Sequence, residues 1–314
     1  MEQRSLGCSG LKVSRVGLGC NNFGSRIDLD ASRKVIHTAL ELGITLFDTA
    51  DVYGNRGGSE QILGQCLGNR RKDIVLATKF GGPMDNAGIH SGASRRYIMS
   101  AIEASLRRLK TDWIDLYQVH YPDPSTPIEE TLRTLDDLVR QGKVRYIGCS
   151  NFAAWQLVEA QWTSRHHNLN TFVSCQDEYS VLKRSLEVKL EHAMRAYSIA
   201  LIPYGPLAGG LLTGKYKRDA PLPKDTRLVN EKKMAERWLN DTNWTIVQCL
   251  DNFSQQRGHS LLELSFSWLA SHPFVSSIIA GATSREQLEL NVRAIDWKLT
   301  TADMAEIDRL TRGI

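Results

Sequence analysis

Long apolar runs are absent from this sequence. No stretch approaches the roughly 18 consecutive apolar residues that a membrane-spanning helix needs. The N-terminal residues Met1–Gly7 also lack the apolar centre of a signal peptide. We therefore expect a cytoplasmic protein with no membrane partner.

Clusters of charge of one sign are also missing. The 314 residues carry a formal net charge of +4, and the Lys and Arg residues are dispersed among Asp and Glu. A nucleic-acid surface would need a basic patch or stripe, so we expect no nucleic-acid partner. The composition is 42% hydrophobic and 24% charged, which is typical of a globular protein.

Cysteine pairs with the spacing of a redox motif or a disulfide framework are not found either. The six cysteines are scattered, and several lie inside apolar runs, which indicates reduced, buried thiols. The histidines at His90, His166 and His167 lack ligand partners at metal-binding spacing. We therefore expect no metal site.

The sequence does contain a regular alternation of strand-like and helix-like segments. The chain has eight strand-like apolar runs, and the first seven begin about 27 to 39 residues apart, which is the length of a strand, a helix and two loops. The eight runs begin near Val16, Ile44, Ile74, Trp113, Val144, Phe172, Ile199 and Val275. This pattern predicts a single α/β domain over residues 1–314, a (β/α)8 TIM barrel preceded by a β-hairpin within residues 4–15. A doubly wound open sheet is the alternative.

One interval breaks this rhythm. About 76 residues separate Ile199 from Val275, and they include a Gly-rich loop, P-Y-G-P-L-A-G-G-L-L-T-G-K-Y, and two predicted helices at 236–256 and 260–271. Long loops in compact domains are usually functional or disordered. This insertion between strands seven and eight follows the carboxyl end of a barrel strand, where barrel enzymes bind ligands. We interpret its loop as one that clamps a ligand.

Polar residues stand at the ends of six consecutive predicted strands. The carboxyl ends of parallel strands meet at one mouth of a barrel, so these side chains should converge. Unpaired polar groups are costly to bury, which makes six such endings hard to explain by structure alone. The residues are Asp48, Lys79, His120, Ser150 with Asn151, Gln176, and Tyr204.

Four of the polar residues near this mouth suit one chemistry. A Tyr53 phenol has an unperturbed pKa near 10, and a Lys79 cation beside it would lower that pKa. Asp48 can serve as the counter-ion that a buried lysine needs. His120 can hydrogen-bond a carbonyl oxygen or relay a proton. No activated Ser or Cys nucleophile is evident, so the set favours carbonyl reduction with a hydride from a nicotinamide.

Two glycine motifs resemble nucleotide-binding loops without meeting their requirements. Gly17 and Gly19 are followed by a misplaced third glycine at Gly24, and no helix opens directly after them, which disfavours a dinucleotide fingerprint. The segment from Gly209 to Lys215 has phosphate-loop spacing, but a tyrosine stands where Ser or Thr must bind magnesium.

The chain resembles the aldo-keto reductases over essentially its whole length. The resemblance is closest to the bacterial reductases and the potassium-channel β-subunit-like branch of that family. It rests on these stretches, in this order: V-G-L-G at 16–19, then G-I-T-L-F-D-T-A-D-V-Y-G-N-R-G-G-S-E, L-A-T-K-F-G, L-Y-Q-V-H-Y-P-D, K-V-R-Y-I-G-C-S-N-F, and the Gly-rich loop quoted above.

The resemblance implies roles for the residues at the predicted mouth. Tyr53 would be the general acid/base, with Lys79 lowering its pKa, Asp48 paired with Lys79, and His120 orienting the carbonyl. The cofactor implied is NADP(H). Residues expected to contact it, besides Asp48, are Gly19, Cys20, Asn21, Ser150, Asn151, Gln176, Tyr204, Gly205, Pro206, Leu207, Gly210, Lys215, Arg227, Gly281, Thr283, Gln287 and Asn291.

Within that set the resemblance separates three regions of the cofactor. Ser150, Asn151 and Gln176 would hold the nicotinamide carboxamide, and Tyr204 would stack on its ring. The loop from Gly205 to Gly210, with Lys215 and Arg227, would wrap the pyrophosphate. The residues from Gly281 to Asn291 would bind the adenosine 2′-phosphate and adenine, where Ser284 and Gln287 form a predicted capping box at a helix N-terminus.

The adenosine segment departs from the family pattern in two ways. Leu290 stands where the family commonly has Glu before Asn291, and the lysine found there in many members is missing. Arg285 is our candidate to replace that cation. These departures keep NAD(H) open as a second cofactor.

The expected function is reduction of small-molecule aldehydes or ketones to alcohols by hydride transfer from NADPH. A nucleotide-sensing regulatory subunit with slow or no turnover is one alternative, and an NAD(P)-dependent polyol or sugar dehydrogenase is another. The sequence leaves the physiological substrate, the preferred direction and the oligomeric state open.

Overall fold

An antiparallel hairpin precedes the main sheet, as predicted. The computed structural model describes residues 1–224 and 226–312. Strands β1 (Gln3–Ser5) and β2 (Lys12–Ser14) pair with Arg4 opposite Val13. The Arg4 guanidinium donates to three backbone carbonyls near the C-terminal part of the barrel, those of Ala270 at 2.9 Å, His272 at 3.3 Å and Val275 at 2.8 Å. The hairpin is thereby fixed to the barrel.

Eight parallel strands follow in sequential order around one sheet. They are β3 (Val16–Gly19), β4 (Leu46–Asp48), β5 (Val75–Phe80), β6 (Ile114–Val119), β7 (Val144–Ser150), β8 (Ser174–Glu178), β9 (Ala200–Tyr204) and β10 (Ile278–Gly281). Neighbours in the chain pair with each other, and β10 pairs with β3.

The two ends of this sheet meet. Leu201 in β9 donates its N–H to Phe274 O at 2.7 Å and accepts from Ser276 N at 3.0 Å, just before β10 begins. These bonds join the last two strands and close the ring. The (β/α)8 barrel is therefore confirmed, and the open doubly wound sheet is wrong.

Helices cover the outside of the barrel and fill the long insertion. Those between the first seven barrel strands are α1 (Leu29–Glu41), α2 (Tyr53–Cys66), α3 (Arg95–Leu109), α4 (Ile128–Arg140), α5 (Ala154–His166) and α6 (Leu190–Tyr197). The insertion contains α7 (Arg227–Asn230), α8 (Lys232–Trp238), α9 (Asp241–Gln255) and α10 (Leu261–Ser271). After β10 come α11 (Arg285–Arg293) and α12 (Thr301–Arg312).

One helix prediction needs correction, and one helix has an irregular first turn. The segment predicted as one helix over 236–256 is divided, because Asn240 accepts a hydrogen bond from Asn243 N at 2.9 Å and starts a new helix there. Helix α2 is regular only from Gly58 onward. Residues 54–57 before it all have positive φ, from 60° to 116°.

The interior of the barrel is closed at the hairpin end by apolar side chains. Leu6 and Val13 from the hairpin belong to one buried cluster with inward-facing strand residues such as Leu46, Leu116 and Ile202. Polar strand ends lie at the opposite rim, where the long insertion begins. The packed end stabilises the barrel and leaves the carboxyl ends of the strands for a site.

Cysteine burial differs in part from the prediction. All six thiols are free, but only Cys20, Cys149 and Cys175 are buried, while Cys8 is exposed. Within residues 1–224 and 226–312, no helix combines the length and the apolar character that crossing a membrane requires.

Gly64 on α2 packs directly against the backbone of α3. A Cβ added at Gly64 would collide with the backbone of α3, at Arg108 O and 2.8 Å from Leu109 C. We predict that Gly64→Ala lowers the free energy of unfolding by about 1–3 kcal/mol, because overpacking outweighs the better helix propensity of alanine. Denaturant unfolding measures the change.

Gly10→Ala is the matched control, since nothing lies within 4 Å of a Cβ at Gly10. Its free energy of unfolding should stay within about 0.5 kcal/mol of wild type. Equal stabilities for the two variants would contradict the proposed contact between α2 and α3.

Candidate active site

A buried ion pair between neighbouring strands is the centre of the site. Lys79 in β5 is fully buried, and its Nζ donates to Asp48 Oδ2 at 2.6 Å and to Thr49 O at 2.8 Å. The other oxygen of Asp48 accepts from Gln176 Nε2 at 2.9 Å and from Gln118 Nε2 at 3.3 Å. Both oxygens of the carboxylate are thus hydrogen-bonded, which is the condition for keeping a buried ion pair.

This pair keeps Lys79 charged. Burial is the largest single influence on its pKa and acts to lower it, but Asp48 and Tyr53 together reverse the effect. The pKa of the Lys79 ammonium is consequently raised above its ordinary value. A fixed positive charge therefore lies at the bottom of the mouth throughout the physiological pH range.

Tyr53 lies beside this cation at the end of the segment that follows β4. The Lys79 Nζ is 5.0 Å from the centroid of the Tyr53 ring. Burial raises the pKa of the Tyr53 phenol above its ordinary value, and Lys79 opposes that shift without reversing it. Lys79 thus acts on this pKa in the predicted direction, but removal from water penalises the phenolate more than the cation stabilises it, so the pKa is raised overall.

His120 follows β6 and faces Tyr53 across the mouth. Its ring makes an edge contact with the Tyr53 ring, with centroids 5.7 Å apart, and stacks on Tyr121 at 4.5 Å. Burial and the nearby Lys79 lower the pKa of His120 to about 3. The imidazole is therefore neutral at physiological pH, and its buried Nδ1 has no hydrogen-bond partner within residues 1–224 and 226–312.

The predicted nicotinamide residues form a hydrogen-bonded row at the rim. Tyr204 OH donates to Asn151 Oδ1 at 2.8 Å, and Asn151 Nδ2 donates to His120 O and to Ser150 Oγ, each at 3.0 Å. Gln176 does not join this row, because its amide nitrogen donates to Asp48. The structure thus brings these residues into one group beside the catalytic candidates.

The Gly-rich loop folds into a tight turn over the rim. Gly205 and Gly210 have φ values of 66° and 99°, which glycine adopts readily. A Cβ added at Gly210 would lie 3.2 Å from Lys215 Nζ, so the bare glycine leaves room beside an ammonium group. Pro206 and Leu207 complete the turn, and Arg227 opens α7 with its guanidinium 3.0 Å from Glu231.

The remaining predicted cofactor residues lie where β3 and β10 pair. Gly281 is opposite Gly19, and a Cβ at Gly281 would lie 3.0 Å from Asn22 Nδ2 and 3.3 Å from Asn21 Oδ1. Cys20 is buried, and burial raises the pKa of its thiol. This part of the rim is a narrow, glycine-lined edge.

The N-terminus of α11 is capped in a different way from the predicted box. Ser284 accepts from Gln287 N at 3.4 Å, but the Gln287 side chain accepts from Thr283 N and Oγ1, at 2.9 and 3.2 Å. Asn291, further along the helix, is buried. The Arg285 guanidinium contacts Glu289 at 2.8 Å and Glu41 at 3.4 Å.

Gln118 is a site residue that the sequence reasoning missed. It lies two positions before His120 in β6, is fully buried, and donates to Asp48. A polar residue inside a buried strand, on the same face as a candidate catalytic residue, is the signal that could have found it. Asp51, which is buried behind the same segment, was also not assigned a role.

The two nucleotide-loop resemblances do not correspond to such loops. After Gly19 the chain runs through a loop, and α1 begins only at Leu29. After Lys215 no helix begins before Arg227 in the residues described there. Neither segment has the strand-to-helix geometry that these motifs require.

The sequence matches the aldo/keto reductase family over residues 15–312. The chain belongs to this family. It is 38% identical to a probable voltage-gated potassium channel subunit beta of Arabidopsis thaliana, over 94% of this chain and 92% of that protein. Two bacterial relatives are the uncharacterized oxidoreductase YrpG of Bacillus subtilis, at 35% identity, and the L-glyceraldehyde 3-phosphate reductase of Escherichia coli K12, at 32%.

These matches extend over most of each relative. The alignment covers 95% of this chain and 92% of YrpG, and 98% of this chain and 92% of the Escherichia coli reductase. The resemblance to aldo-keto reductases, and to a branch containing both bacterial reductases and channel β subunits, is therefore confirmed. Oxidoreductases among the relatives support oxidoreductase activity for this aldo/keto reductase.

The Lys79–Asp48 pair gives a stability prediction. Asp48→Asn would leave the buried ammonium without its counter-ion and should lower the free energy of unfolding by about 3–5 kcal/mol. The double variant Asp48→Asn/Lys79→Met should lose less than the sum of the two single variants, since it removes both charges. Urea unfolding of the four proteins gives the coupling energy.

Glu306→Gln is the control for this cycle. It breaks the exposed pair of Glu306 with Arg309 on α12, which should leave the free energy of unfolding nearly unchanged, because exposed ion pairs contribute little. Additive effects of Asp48→Asn and Lys79→Met would contradict the coupling seen in the geometry.

Proposed function

We propose that this aldo/keto reductase reduces aldehydes or ketones to alcohols with NADPH, with Tyr53 as the general acid. The observation that carries the proposal is the position of the Tyr53 phenol, which lies beside the charged Lys79 and opposite the neutral His120. The family and its oxidoreductase relatives supply the reaction class. The substrate is a small-molecule carbonyl compound.

Tyr53 and Lys79 have different roles in the proposed proton transfer. A bound nicotinamide would supply the hydride to the carbonyl carbon. Because burial raises its pKa, the Tyr53 phenol holds its proton until negative charge develops on the carbonyl oxygen. Lys79 then stabilises the phenolate that remains after the proton has moved to that oxygen.

His120 can orient the carbonyl group without competing for the proton. A neutral imidazole carries one N–H donor, and the pKa of about 3 keeps the ring neutral. One hydrogen bond from this ring and one from Tyr53 would fix the carbonyl oxygen between them. This geometry pre-organises donors where charge develops.

The residues of the rim fit a dinucleotide cofactor. The bare Gly210 beside the Lys215 ammonium leaves space for a phosphate next to a cation, and the glycine-lined edge at Gly19 and Gly281 lets a ligand approach the backbone. Asn151 and Tyr204 present polar groups beside His120, suitable for the nicotinamide end. These features support NADP(H) as the cofactor, with NAD(H) as the alternative.

The second candidate is a nucleotide-sensing subunit with slow or no turnover. The similarity to a probable potassium channel subunit beta favours it. The complete set of Asp48, Tyr53, Lys79 and His120 in contact geometry favours an enzyme instead. Turnover of NADPH with small aldehydes such as methylglyoxal separates the two, because a sensor would bind the nucleotide tightly and reduce none of them.

Replacing the proposed acid tests the first candidate. Tyr53→Phe removes the phenolic proton and should lower kcat by about 10²–10⁴-fold, with little change in the Kd of NADPH. NADPH oxidation and fluorescence titration measure the two quantities.

Tyr121→Phe is the matched control, because Tyr121 stacks on His120 but is exposed. It should retain kcat within a few-fold of wild type. If Tyr53→Phe kept nearly the wild-type rate, Tyr53 could not be the acid.

Arg285 gives a test of cofactor preference. Arg285 lies between Thr283 and Gln287 in the sequence, but its guanidinium is held by Glu289 and Glu41, so it must leave at least one carboxylate to meet a 2′-phosphate. Arg285→Ala should weaken NADPH binding by about 5–20-fold and leave NADH binding unchanged, whereas Glu289→Gln should strengthen NADPH binding. Fluorescence titration with both nucleotides gives the ratio of Kd values.

Arg309→Ala on α12 is the control, since Arg309 is also exposed and paired with a glutamate. It should leave both Kd values unchanged. If Arg285→Ala left the ratio of the NADPH and NADH Kd values unchanged, Arg285 would not belong to the 2′-phosphate site.

A further inference from the structure

Asp51 is a buried carboxylic acid just behind the proton donor. It is 1% exposed and lies two residues before Tyr53. Its backbone N–H donates to Lys79 O at 3.1 Å, and its Oδ2 accepts from Tyr97 OH at 3.2 Å. Its Oδ1 has no hydrogen-bond partner within residues 1–224 and 226–312. Asp51 thus links the Tyr53 segment to β5 and to α3, with one oxygen unsatisfied.

The charged groups that face Asp51 do not compensate a second negative charge. Glu60 on α2 accepts from Arg108 Nε at 2.7 Å and from Thr78 Oγ1 at 2.6 Å, so both of its oxygens are occupied. Arg108, from α3, is therefore already paired. Lys79 is paired with Asp48 on the other side of the segment.

Two tyrosines complete this buried group. Tyr97 from α3 donates its hydroxyl to Asp51, and Tyr117 from β6 has a buried hydroxyl with no partner in the described part of the chain. Burial, followed by the charge of Glu60, raises the pKa of Asp51 to about 7, while Tyr97 and Arg108 act in the opposite direction. A pKa in this range means that the protonation of Asp51 changes near neutral pH.

The segment on the other side of Tyr53 is poorly able to hold the phenol by itself. Residues 54–57 all have left-handed backbone conformations. Asn55 and Arg56 have φ values of 60° and 68°, which are less favourable for residues that carry a Cβ than for glycine. Such a turn persists only when neighbouring contacts fix it. On the strand side, Asp51 ties the segment to β5 and α3 two residues before Tyr53.

We propose that Asp51 is a positioning residue for Tyr53. In its protonated form Asp51 stays packed against Tyr97 and holds Tyr53 beside Lys79. Its ionisation adds an uncompensated charge next to Glu60, displaces the segment from 48 to 53, and lowers turnover as the pH rises through neutrality. This inference rests on the proposed role of Tyr53 as the acid, and it adds a pH-dependent control of that residue.

The pH profile of kcat tests this control in the full chain. For NADPH-dependent reduction, wild type should lose several-fold in kcat between about pH 6 and 8. Asp51→Asn stays neutral at every pH, so that step should disappear while kcat remains at its low-pH value. Tyr97→Phe removes the hydrogen bond that stabilises the ionised form, so the step should move to higher pH. A purely structural role would produce neither a loss nor a shift of the step.

Asp136→Asn is the matched control for replacing a buried aspartate. Asp136 on α4 is also buried, but it accepts from the backbone N–H and side chain of Asn170 and pairs with Arg140. Its variant should retain the wild-type step. A step that persisted in Asp51→Asn, or a low kcat in Asp51→Asn at every pH, would overturn the proposal.

Stability measurements test the inference without turnover. An unfolded aspartate has a pKa of about 3.9, so the folded protein binds the extra proton between about pH 4 and 7. The stabilisation from that proton is complete below this range and is lost as the pH rises to 7. Asp51→Asn should therefore gain stability relative to wild type over this range, and its effect should be non-additive with Tyr53→Phe at pH 8.

The two kinds of failure can be told apart. No turnover by wild type with any carbonyl compound would reject the proposed function, yet non-additivity between Asp51→Asn and Tyr53→Phe would still support positioning. Normal turnover with additive stability effects and an unchanged pH profile would reject the positioning role alone.

Discussion

The charged lysine buried at the bottom of the barrel mouth is the constraint on which the site depends. A lysine ammonium removed from water is costly unless its charge and its hydrogen bonds are compensated. Compensation here comes from Asp48 and Thr49 O directly, and from Gln118 and Gln176, which hold the second oxygen of Asp48. These groups come from β4, β5, β6 and β8 or the segments directly after them, so the pair exists only when the barrel has closed around it.

The same cation bears on the proposed role of Tyr53 as an acid. Burial alone would make the Tyr53 proton hard to remove, whereas Lys79 alone would favour the phenolate too early. The structure places both influences on one phenol, and burial is the larger of them before a substrate is bound. Lys79 also acts on His120, where it adds to burial and keeps the imidazole neutral. Burial, opposed by Lys79 at Tyr53 and reinforced by Lys79 at His120, therefore sets the protonation states of both neighbours in the directions that the proposed carbonyl reduction requires.

Much of this site could be predicted from the sequence, because parallel strands of a barrel all end at one rim. Asp48, Lys79, His120, Asn151 and Tyr204 follow from that rule once the strands are located. Gln118 does not, since its role depends on the distance across two strands to Asp48. The direction of the Tyr53 pKa shift also needs the structure, because the depth of burial cannot be read from residue types. At the left-handed turn, Gly54 and Gly57 suggest unusual φ values, but Asn55 and Arg56 between them do not.

Asp48 and Asp51 are two carboxylates on one short segment, and their surroundings compensate their negative charges differently. Asp48 faces the interior of the barrel and meets a lysine, whereas Asp51 faces α3 and meets a tyrosine hydroxyl. The charge of Asp48 is compensated by the charge of Lys79, whereas Asp51 meets the dipole of the Tyr97 hydroxyl. Tyr53 follows both aspartates in the chain. The phenol therefore depends on a charged pair for its chemistry and on an uncharged pair for its position. A change in the protonation of Asp51 therefore acts on Tyr53 through the backbone they share, while the charges of Asp48 and Lys79 stay the same.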